Sequence, residues 1–349
     1  MPHFVMGLLL GAAVFAQTPP QDAFKLNDLG NQASDAGDYA GAAKYFRDSV
    51  AIWRELGKDY EPHLAGTLMN LATVLCGAGR RIEGAAYFED ALALHRRTLG
   101  VRSLRTISNM NLLATNYLML GQLEKAEAVL NEVLPLTRAE FPDGIQTARS
   151  LEILSGVLNR HGKFAEAMAP ADEALAIILR VAGDDSIEAA LGYASAAEAH
   201  RAVGETDRAV PLYRKAQALY EKYLGPTHPR VASILSQEGI IATQEGKFST
   251  ADQLIQRGIA LLKQYCPDCR VELAVAENNL GLLRLRQKRY KEAGELLADA
   301  LALREGFTPR PTPELAASMQ TLALARKMEH RDAEAKSLTS RAEAILAFQ

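Results

Sequence analysis

The fold of this protein is decided by one stretch of sequence, residues 236–258, which reads SQEGIIATQEGKFSTADQLIQRG. Small residues stand at four key positions of this stretch, Gly239, Gly246, Ala251 and Gly258. Gly246 tolerates a positive φ and marks the end of one helix. The other three are narrow positions where two helices can approach closely. The stretch therefore predicts a hairpin of two α-helices.

The same pattern recurs along the chain at intervals of 41 or 42 residues. An Ala or Gly anchor equivalent to Ala251 stands at positions 42, 84, 126, 167, 209, 251, 293 and 335. The turn position five residues earlier holds Gly37, Gly79, Gly121, Gly162, Gly204, Gly246, Lys288 and His330. Small residues also recur twelve positions before the anchors and, with one valine, seven positions after them. A hairpin repeated in this way buries its apolar face only by stacking on its neighbours.

Eight hairpins with helices of about 16 residues, each about 24 Å long, predict an all-α protein of sixteen helices. The formal net charge of −3 and the isoelectric point near 6.2 give no field that would attract nucleic acid, and no nucleic-acid partner is predicted. We interpret the arginine-rich segment 80–105 as a solvated ridge.

The amino terminus favours export. An apolar run at residues 4–15 is followed by Ala16 and resembles the core of a signal peptide, which predicts cleavage after Ala16, a short linker at 17–21 and a periplasmic or secreted protein. The alternative is a cytoplasmic protein, because no Lys or Arg precedes the run. The run is too short to cross a bilayer, and no membrane span is predicted.

Several local strings resemble the tetratricopeptide repeat, in the 42-residue variant of kinesin light chains. Residues 224–229 read LGPTHP and are similar to its connector, residues 278–281 read NNLG and are similar to the core of its first helix, and residues 121–127 read GQLEKAE and are similar to its central turn. The resemblance implies a right-handed superhelical solenoid of about eight antiparallel helix pairs. We therefore expect residues 22–349 to form a single solenoid whose last hairpin is a degenerate polar cap.

The sequence offers little that could carry covalent chemistry. Cys266 and Cys269 form a CxxC pair, but no second pair completes a zinc site and no thioredoxin-like pattern surrounds it, so a local disulfide is the modest interpretation. No nucleotide, hydrolase or zinc-protease motif occurs. The histidines, at positions 3, 63, 95, 161, 200, 228 and 330, are interpreted as surface or turn residues. We predict no enzyme activity, no metal site and no cofactor.

A binding surface can be located by helical phase. Polar residues dominate the position fifteen residues before the anchors, and residues four and seven positions later share the same stripe of the first helix. The resemblance implies that first helices line a concave groove, where amides can bond to an extended peptide. The candidate peptide-binding residues are Asn27, Asn31, Asn70, Asn111, Thr115, Glu152, Asn159, Asn278, Asn279 and Gln320. The alternative is that these asparagines only support neighbouring helices.

Three functional hypotheses follow. The first is a non-enzymatic scaffold that binds a protein or peptide segment in its groove. The second is a peptide-sensing regulatory receptor without its own output domain. The third is a thiol-disulfide module that uses Cys266 and Cys269.

Overall fold

The structure, a computed structural model, describes residues 20–266, 269–307 and 312–347, apart from the side chains of Phe307 and Pro313. Within these ranges the chain forms sixteen α-helices and no strand, which confirms the predicted all-α repeat fold. The predicted signal peptide, residues 1–16, lies outside the described residues. The helices are α1 (Pro20–Asp35), α2 (Tyr39–Leu56), α3 (Glu61–Gly77), α4 (Arg81–Leu99), α5 (Leu104–Met119), α6 (Leu123–Glu140), α7 (Ile145–Arg160), α8 (Phe164–Ala182), α9 (Ile187–Ala202), α10 (Thr206–Leu224), α11 (Pro229–Gln244), α12 (Phe248–Tyr265), α13 (Arg270–Arg286), α14 (Tyr290–Phe307), α15 (Pro313–Met328) and α16 (Asp332–Ala347).

The chain divides into two compact units, residues 1–136 and 137–349, with the boundary inside α6. In the first unit α1 packs on α2 and α3 packs on α4. In the second unit the hairpins are α7 with α8, α9 with α10, α11 with α12, α13 with α14, and α15 with α16. Odd-numbered helices are the first helices of the predicted hairpins, and even-numbered helices are the second.

The predicted narrow positions are the places where helices meet. All eight anchors are buried, and so are all the residues twelve positions before them and seven positions after them. Gly239 shows why small residues are needed, because a Cβ added there would lie 2.4 Å from Cγ1 of Ile255 on the partner helix α12. The small residues therefore recur at a fixed spacing in the sequence because each stands where two helices are in close contact.

The turns of all eight hairpins adopt the left-handed conformation that their position predicts. Six are glycines, whose φ lies between 69° for Gly121 and 84° for Gly204. The other two are Lys288 and His330, with φ of 61° and 62°. The turn geometry is thus imposed by the hairpin even where the residue is not glycine.

The amino-terminal boundary differs from the prediction. Helix α1 begins at Pro20, so Pro20 and Gln21 belong to the helix and not to the linker predicted at 17–21. The ring of proline fixes φ near the helical value, and the missing N–H costs nothing in the first turn, where it would have no partner.

Ion pairs join second helices of consecutive hairpins. In the first unit Arg96 on α4 lies 2.6 Å from Glu132 on α6. In the second unit Arg341 on α16 lies 2.7 Å from Glu305 on α14. Exposed pairs of this kind contribute little stability. The four side chains are exposed, so charged residues occupy solvated positions on α4, α6, α14 and α16.

Candidate functional site

The first helices expose one side in register. The positions eighteen, eleven and seven residues before each anchor carry no buried residue in any of the eight hairpins. We call these positions the first-helix face. They share one side because separations of seven and eleven residues are close to two and three turns of a helix.

A pocket of about 470 Å³ opens on the first-helix face of the second unit. Three successive first helices each contribute the residues eleven and seven positions before the anchor. These are Ile240 and Gln244 on α11, Leu282 and Arg286 on α13, and Leu324 and Met328 on α15. Thr243, Asn279, Leu285 and Tyr290 complete the lining. We call this the Leu282 pocket.

The Leu282 pocket is apolar but open to solvent. Leu282 is 37% exposed, Leu324 53% and Met328 41%. Apolar side chains that converge on one water-exposed depression favour binding, because a partner that covers them removes apolar surface from water. Arg286 and Gln244 lie at the same depression and can donate hydrogen bonds to a backbone carbonyl or a carboxylate. The arrangement suits an apolar side chain flanked by polar main chain.

The predicted peptide-binding residues fall into three groups. Asn31, Thr115 and Gln320 are exposed, and the first two belong to the first-helix face. Asn111 and Asn279 are buried, at 3% and 5% exposed. The half-buried group is Asn27, Asn70, Glu152, Asn159 and Asn278.

Helical phase explains this distribution. The predicted stripe begins fifteen residues before the anchors, at the border between adjacent first helices, whereas the first-helix face begins at eighteen. Ser236 stands at the predicted phase and is buried between α11 and α13. One residue is a rotation of about 100° on a helix, so a small error in phase exchanges an exposed side chain for a buried one.

Asn279 has a structural partner. Its Nδ2 donates a 2.9 Å hydrogen bond to Oγ of Ser236 and links α13 to α11. Asn116, on α5, similarly donates to the carbonyl oxygen of Arg81 at 2.9 Å. Of these two residues only Asn279 belongs to the predicted set, and its bond is of the kind that the alternative, support of neighbouring helices, expects.

Glu152 is a half-buried acid on the first helix α7. Its Oε1 is buried without a hydrogen-bond partner among the described residues. Burial raises the pKa of Glu152 to about 7, and the positive charges of Arg149 and Arg230 only partly oppose this shift. Glu152 thus changes charge near neutral pH.

The cysteines are separated between the two units. Cys266 and Cys269 form a disulfide with a Cα–Cα distance of 5.3 Å, and they lie at the end of α12 and the start of α13. Cys76 is a free thiol in the first unit, and its Sγ donates to Oδ1 of Asn116 at 3.2 Å. Burial raises the pKa of the Cys76 thiol, which makes it a poor nucleophile.

A second pocket, of about 360 Å³, lies in the first unit, and the predicted residues Asn27 and Asn70 are among those that line it. It is lined by Phe24, Asn27, Trp53, Pro62, His63, Gly66, Thr67, Met69, Asn70, His95 and Arg105. We call it the His95 pocket. His95 and Trp53 both stand eleven residues after an anchor, and this shared position of large ring side chains is the signal that the sequence held.

The interpretation of all histidines as surface or turn residues is wrong for two of them. His95 is fully buried, and His200 is 4% exposed. His200 lies between Asp172 and Glu205, with its ring nitrogens 3.0 and 2.8 Å from their carboxylates. His95 lies on α4, which packs on α3 and α5, and His200 lies on α9, which packs on α7, α8 and α10, so the tertiary arrangement sets their burial.

The parts of the chain that the structure describes contain no group of three or more His, Cys, Asp or Glu side chains that could hold a metal ion. In the same ranges no helix is both long enough and apolar enough to cross a membrane.

Two sequence profiles, each described as a tetratricopeptide repeat, match residues 63–139 and 186–264, and residues 25–56 and 147–188. Together they cover more than half of the chain. The chain is also 24% identical, over 205 residues, to the protein Kinesin Light Chain-Related 1 of Arabidopsis thaliana, in a match that covers 58% of this chain and 33% of that relative. It therefore spans about a third of the length of this relative.

Solved structures share the fold at lower identity. A Rap protein complexed with competence and sporulation factor is 13% identical with a TM-score of 0.63, covering 94% of this chain and 98% of that one. The Rap conjugation gene regulator of plasmid pLS20, in complex with the Phr* peptide, is 12% identical with a TM-score of 0.65, covering 87% and 80%. A tetratricopeptide repeat protein from Parabacteroides merdae is 19% identical with a TM-score of 0.53, covering 87% and 99%.

The stacked hairpins and their regular exposed face define a helical repeat protein. The chain belongs to the tetratricopeptide repeat family, and its repeats are of the kinesin light chain type that the sequence strings predicted.

Proposed function

We propose that this protein is a non-enzymatic interaction scaffold that binds a segment of a partner protein on its first-helix face. The observation that carries the proposal is the Leu282 pocket, which three successive first helices build from equivalent positions. A bound segment places an apolar side chain among Leu282, Leu324 and Met328. Its backbone then meets the polar groups of Gln244 and Arg286 at the rim.

Burial of such a side chain contributes about 1.5–3 kcal/mol, which is enough to anchor a peptide but not to hold it alone. Partner identity would then depend on what else the segment contacts along the face. The tetratricopeptide fold supports a protein or peptide as the partner.

The test compares two substitutions of equal exposure in the second unit. Leu324 and Val181 are each 53% exposed, but only Leu324 lines the pocket. A partner captured with the full chain from the source organism is titrated against Leu324→Asp and Val181→Asp. We expect Leu324→Asp to weaken binding at least about tenfold, because it places a charge in an apolar depression, and Val181→Asp to leave affinity unchanged. Equal affinity for the two variants would contradict the proposal.

A peptide-sensing receptor is the second candidate. Two of the proteins that share the fold are described as complexes, one with competence and sporulation factor and one with the Phr* peptide. A receptor would change conformation when a free peptide binds. Small-angle scattering with and without a binding peptide separates the two functions, since a rigid scaffold keeps its radius of gyration.

The thiol-disulfide module remains a third proposal, supported by the bonded pair Cys266–Cys269. Its test is reduction of a disulfide substrate by the reduced protein, which Cys266→Ser would abolish while helicity is retained.

We also propose export after cleavage at Ala16. A mature amino terminus at Gln17 in protein from the source organism would support export, and an intact Met1 or Pro2 would contradict it.

A further inference from the structure

One ion pair joins the two ends of the second unit. Arg160, at the end of α7, pairs with Glu314, at the start of α15. These two residues are 154 positions apart, whereas the pair between Arg341 and Glu305, on neighbouring second helices, spans 36 positions. The Arg160–Glu314 pair therefore connects the first complete hairpin of this unit, α7 with α8, to its last, α15 with α16.

The pair shows how the first helices of this unit are arranged. Neighbouring first helices pack on one another, for example α7 on α9 and α11 on α13. Arg160 stands seven residues before the anchor Ala167 and so belongs to the first-helix face. Its contact with α15 requires the row of first helices to curve towards this face within four hairpin steps. The first-helix face of the second unit is therefore the inner side of a closed turn.

Both ends of the pair are favoured by their surroundings. Arg160 lies in the last turn of its helix and Glu314 in the first turn of its own, where the helix dipole stabilises a positive and a negative charge. Burial acts to raise the pKa of Glu314, but the charge and hydrogen bond of Arg160 outweigh it, so the pKa is lowered and the carboxylate is ionised at pH 7. Arg304, on α14, also donates to the carbonyl oxygen of Glu314 at 3.4 Å.

The contact can nevertheless open. The side chains of Arg160 and Glu314 are 37% and 31% exposed, and ion pairs in contact with water contribute little stability. Among the described residues, α7 and α15 do not pack against one another as neighbouring first helices do. The closed turn thus depends on a side-chain contact that can break and form again while the hairpins stay packed.

The closed turn also limits what fits inside it. Neighbouring helices pack about 8–10 Å apart, so five first helices with the ion pair as a sixth side enclose a space about 10 Å across. This is about the diameter of one helix with its side chains, and it is too narrow for a folded domain. A single extended chain can lie along the face, since it needs only to pass through this space.

We propose that the Arg160–Glu314 pair is a clasp that closes the first-helix face of the second unit, which then admits an extended segment of a partner and excludes a folded surface. The inference rests on the proposed function, because it names the kind of partner that the face accepts. A folded surface reaches the face only after the clasp opens.

The test measures access to the middle of the row and needs no partner. Ser233 lies on α11, the third of the five first helices, at a position of the first-helix face. Ser233→Cys is combined with Cys76→Ser, since the other two cysteines are bonded to each other. The thiol is treated with a maleimide joined to an unstructured glycine-serine peptide or to ubiquitin, a folded domain. Ser249→Cys, at an exposed position of the second helix α12, is the matched control.

We expect the ratio of the peptide rate to the ubiquitin rate to be at least about tenfold higher at Ser233→Cys than at Ser249→Cys. Arg160→Glu should raise the ubiquitin rate at Ser233→Cys about two- to fivefold, the change that loss of a weak ion pair can produce. Restoring the pair in reverse, with Arg160→Glu and Glu314→Arg together, should return that rate towards its original value. Reaction with N-ethylmaleimide should be the same in all backgrounds, because this reagent is small.

A ratio that is equal at the two cysteines, or a ubiquitin rate that Arg160→Glu leaves unchanged, would overturn the clasp. Arg160 is exposed, so Arg160→Glu retains the fold and decides the matter even if the double variant does not fold. The labelling rates do not depend on partner binding. The clasp can therefore fail while the Leu324→Asp test supports the scaffold, and the reverse also holds.

Discussion

Nδ2 of Asn279 lies 2.9 Å from Oγ of Ser236, and this hydrogen bond joins the first helices of two consecutive hairpins. Both side chains are buried. The contact therefore fixes the distance between α11 and α13 beneath the Leu282 pocket, to whose lining Asn279 contributes. A polar pair at this place specifies the register of neighbouring hairpins in a way that apolar contacts alone do not.

Removal of this bond should destabilise the second unit. We expect Asn279→Ala to lower the free energy of unfolding by about 1–2 kcal/mol, because it deletes the bond and leaves the Ser236 hydroxyl buried without its donor. Urea denaturation followed by circular dichroism measures the change. Gln320→Ala, at an exposed position of α15, is the control and should change stability by less than about 0.5 kcal/mol. A similar loss in both variants would show that the Asn279–Ser236 bond contributes little.

The close approach at Gly239 should not tolerate a methyl group. The added Cβ of Gly239→Ala would lie 2.4 Å from Ile255 and 3.4 Å from the carbonyl oxygen of Ala251. We expect a loss of about 1–3 kcal/mol from overpacking, measured by thermal or urea unfolding. The matched control is Gly66→Ala on α3, where no atom lies within 4 Å of the new Cβ. There the higher helix propensity of alanine should increase stability by up to about 1 kcal/mol. If both substitutions stabilise the protein, the close contact is not tight.

The turn residue Lys288 is not a glycine, so here removal of the side chain is expected to increase stability. Its φ of 61° is unfavourable for a residue with a Cβ, so Lys288→Gly should raise the free energy of unfolding by about 0.5–1 kcal/mol. Gly246→Ala, at the equivalent turn one hairpin earlier and with a φ of 76°, should lower it by about 1 kcal/mol. Differential scanning calorimetry of the two variants and the wild type gives both signs. A loss of stability in Lys288→Gly would mean that the lysine side chain stabilises the turn.

Glu152 predicts a pH dependence of stability. Its pKa rises from an ordinary 4.5 to about 7 on folding, so between these values the native protein binds more protons than the unfolded chain. The free energy of unfolding contributed by this group therefore falls as pH rises from about 4.5 to 7, by up to about 3 kcal/mol. Glu152→Gln should remove this slope and be more stable than the wild type at pH 8.

Urea unfolding at a series of pH values measures this difference, with Glu295→Gln as the control at an exposed position of α14. The control should follow the wild type at every pH. If Glu152→Gln also follows the wild type, the carboxyl of Glu152 is hydrated in solution.

The candidate site was only partly predictable from the sequence. The stripe chosen by phase includes Asn31 and Thr115, which are exposed, and also Asn111, which is buried. The pattern of polar residues along one helix does not reveal which flank the neighbouring helix covers. Asn279 was the one predicted residue that lines the Leu282 pocket. The exposed apolar residues Leu282, Leu324 and Met328 were missed because apolar residues on a helix are ordinarily assigned to the core.

The sequence by itself determined the fold, because its decisive feature is local and repeated. The small residues at Gly239, Ala251 and Gly258 and the turn at Gly246 recur in register, and backbone sterics translate them directly into close contacts and left-handed turns. Only the tertiary structure decided burial at His95, Glu152 and the lining of both pockets. Each of these depends on the distance and rotation between helices about 40 residues apart, which side-chain packing sets and local pattern does not encode.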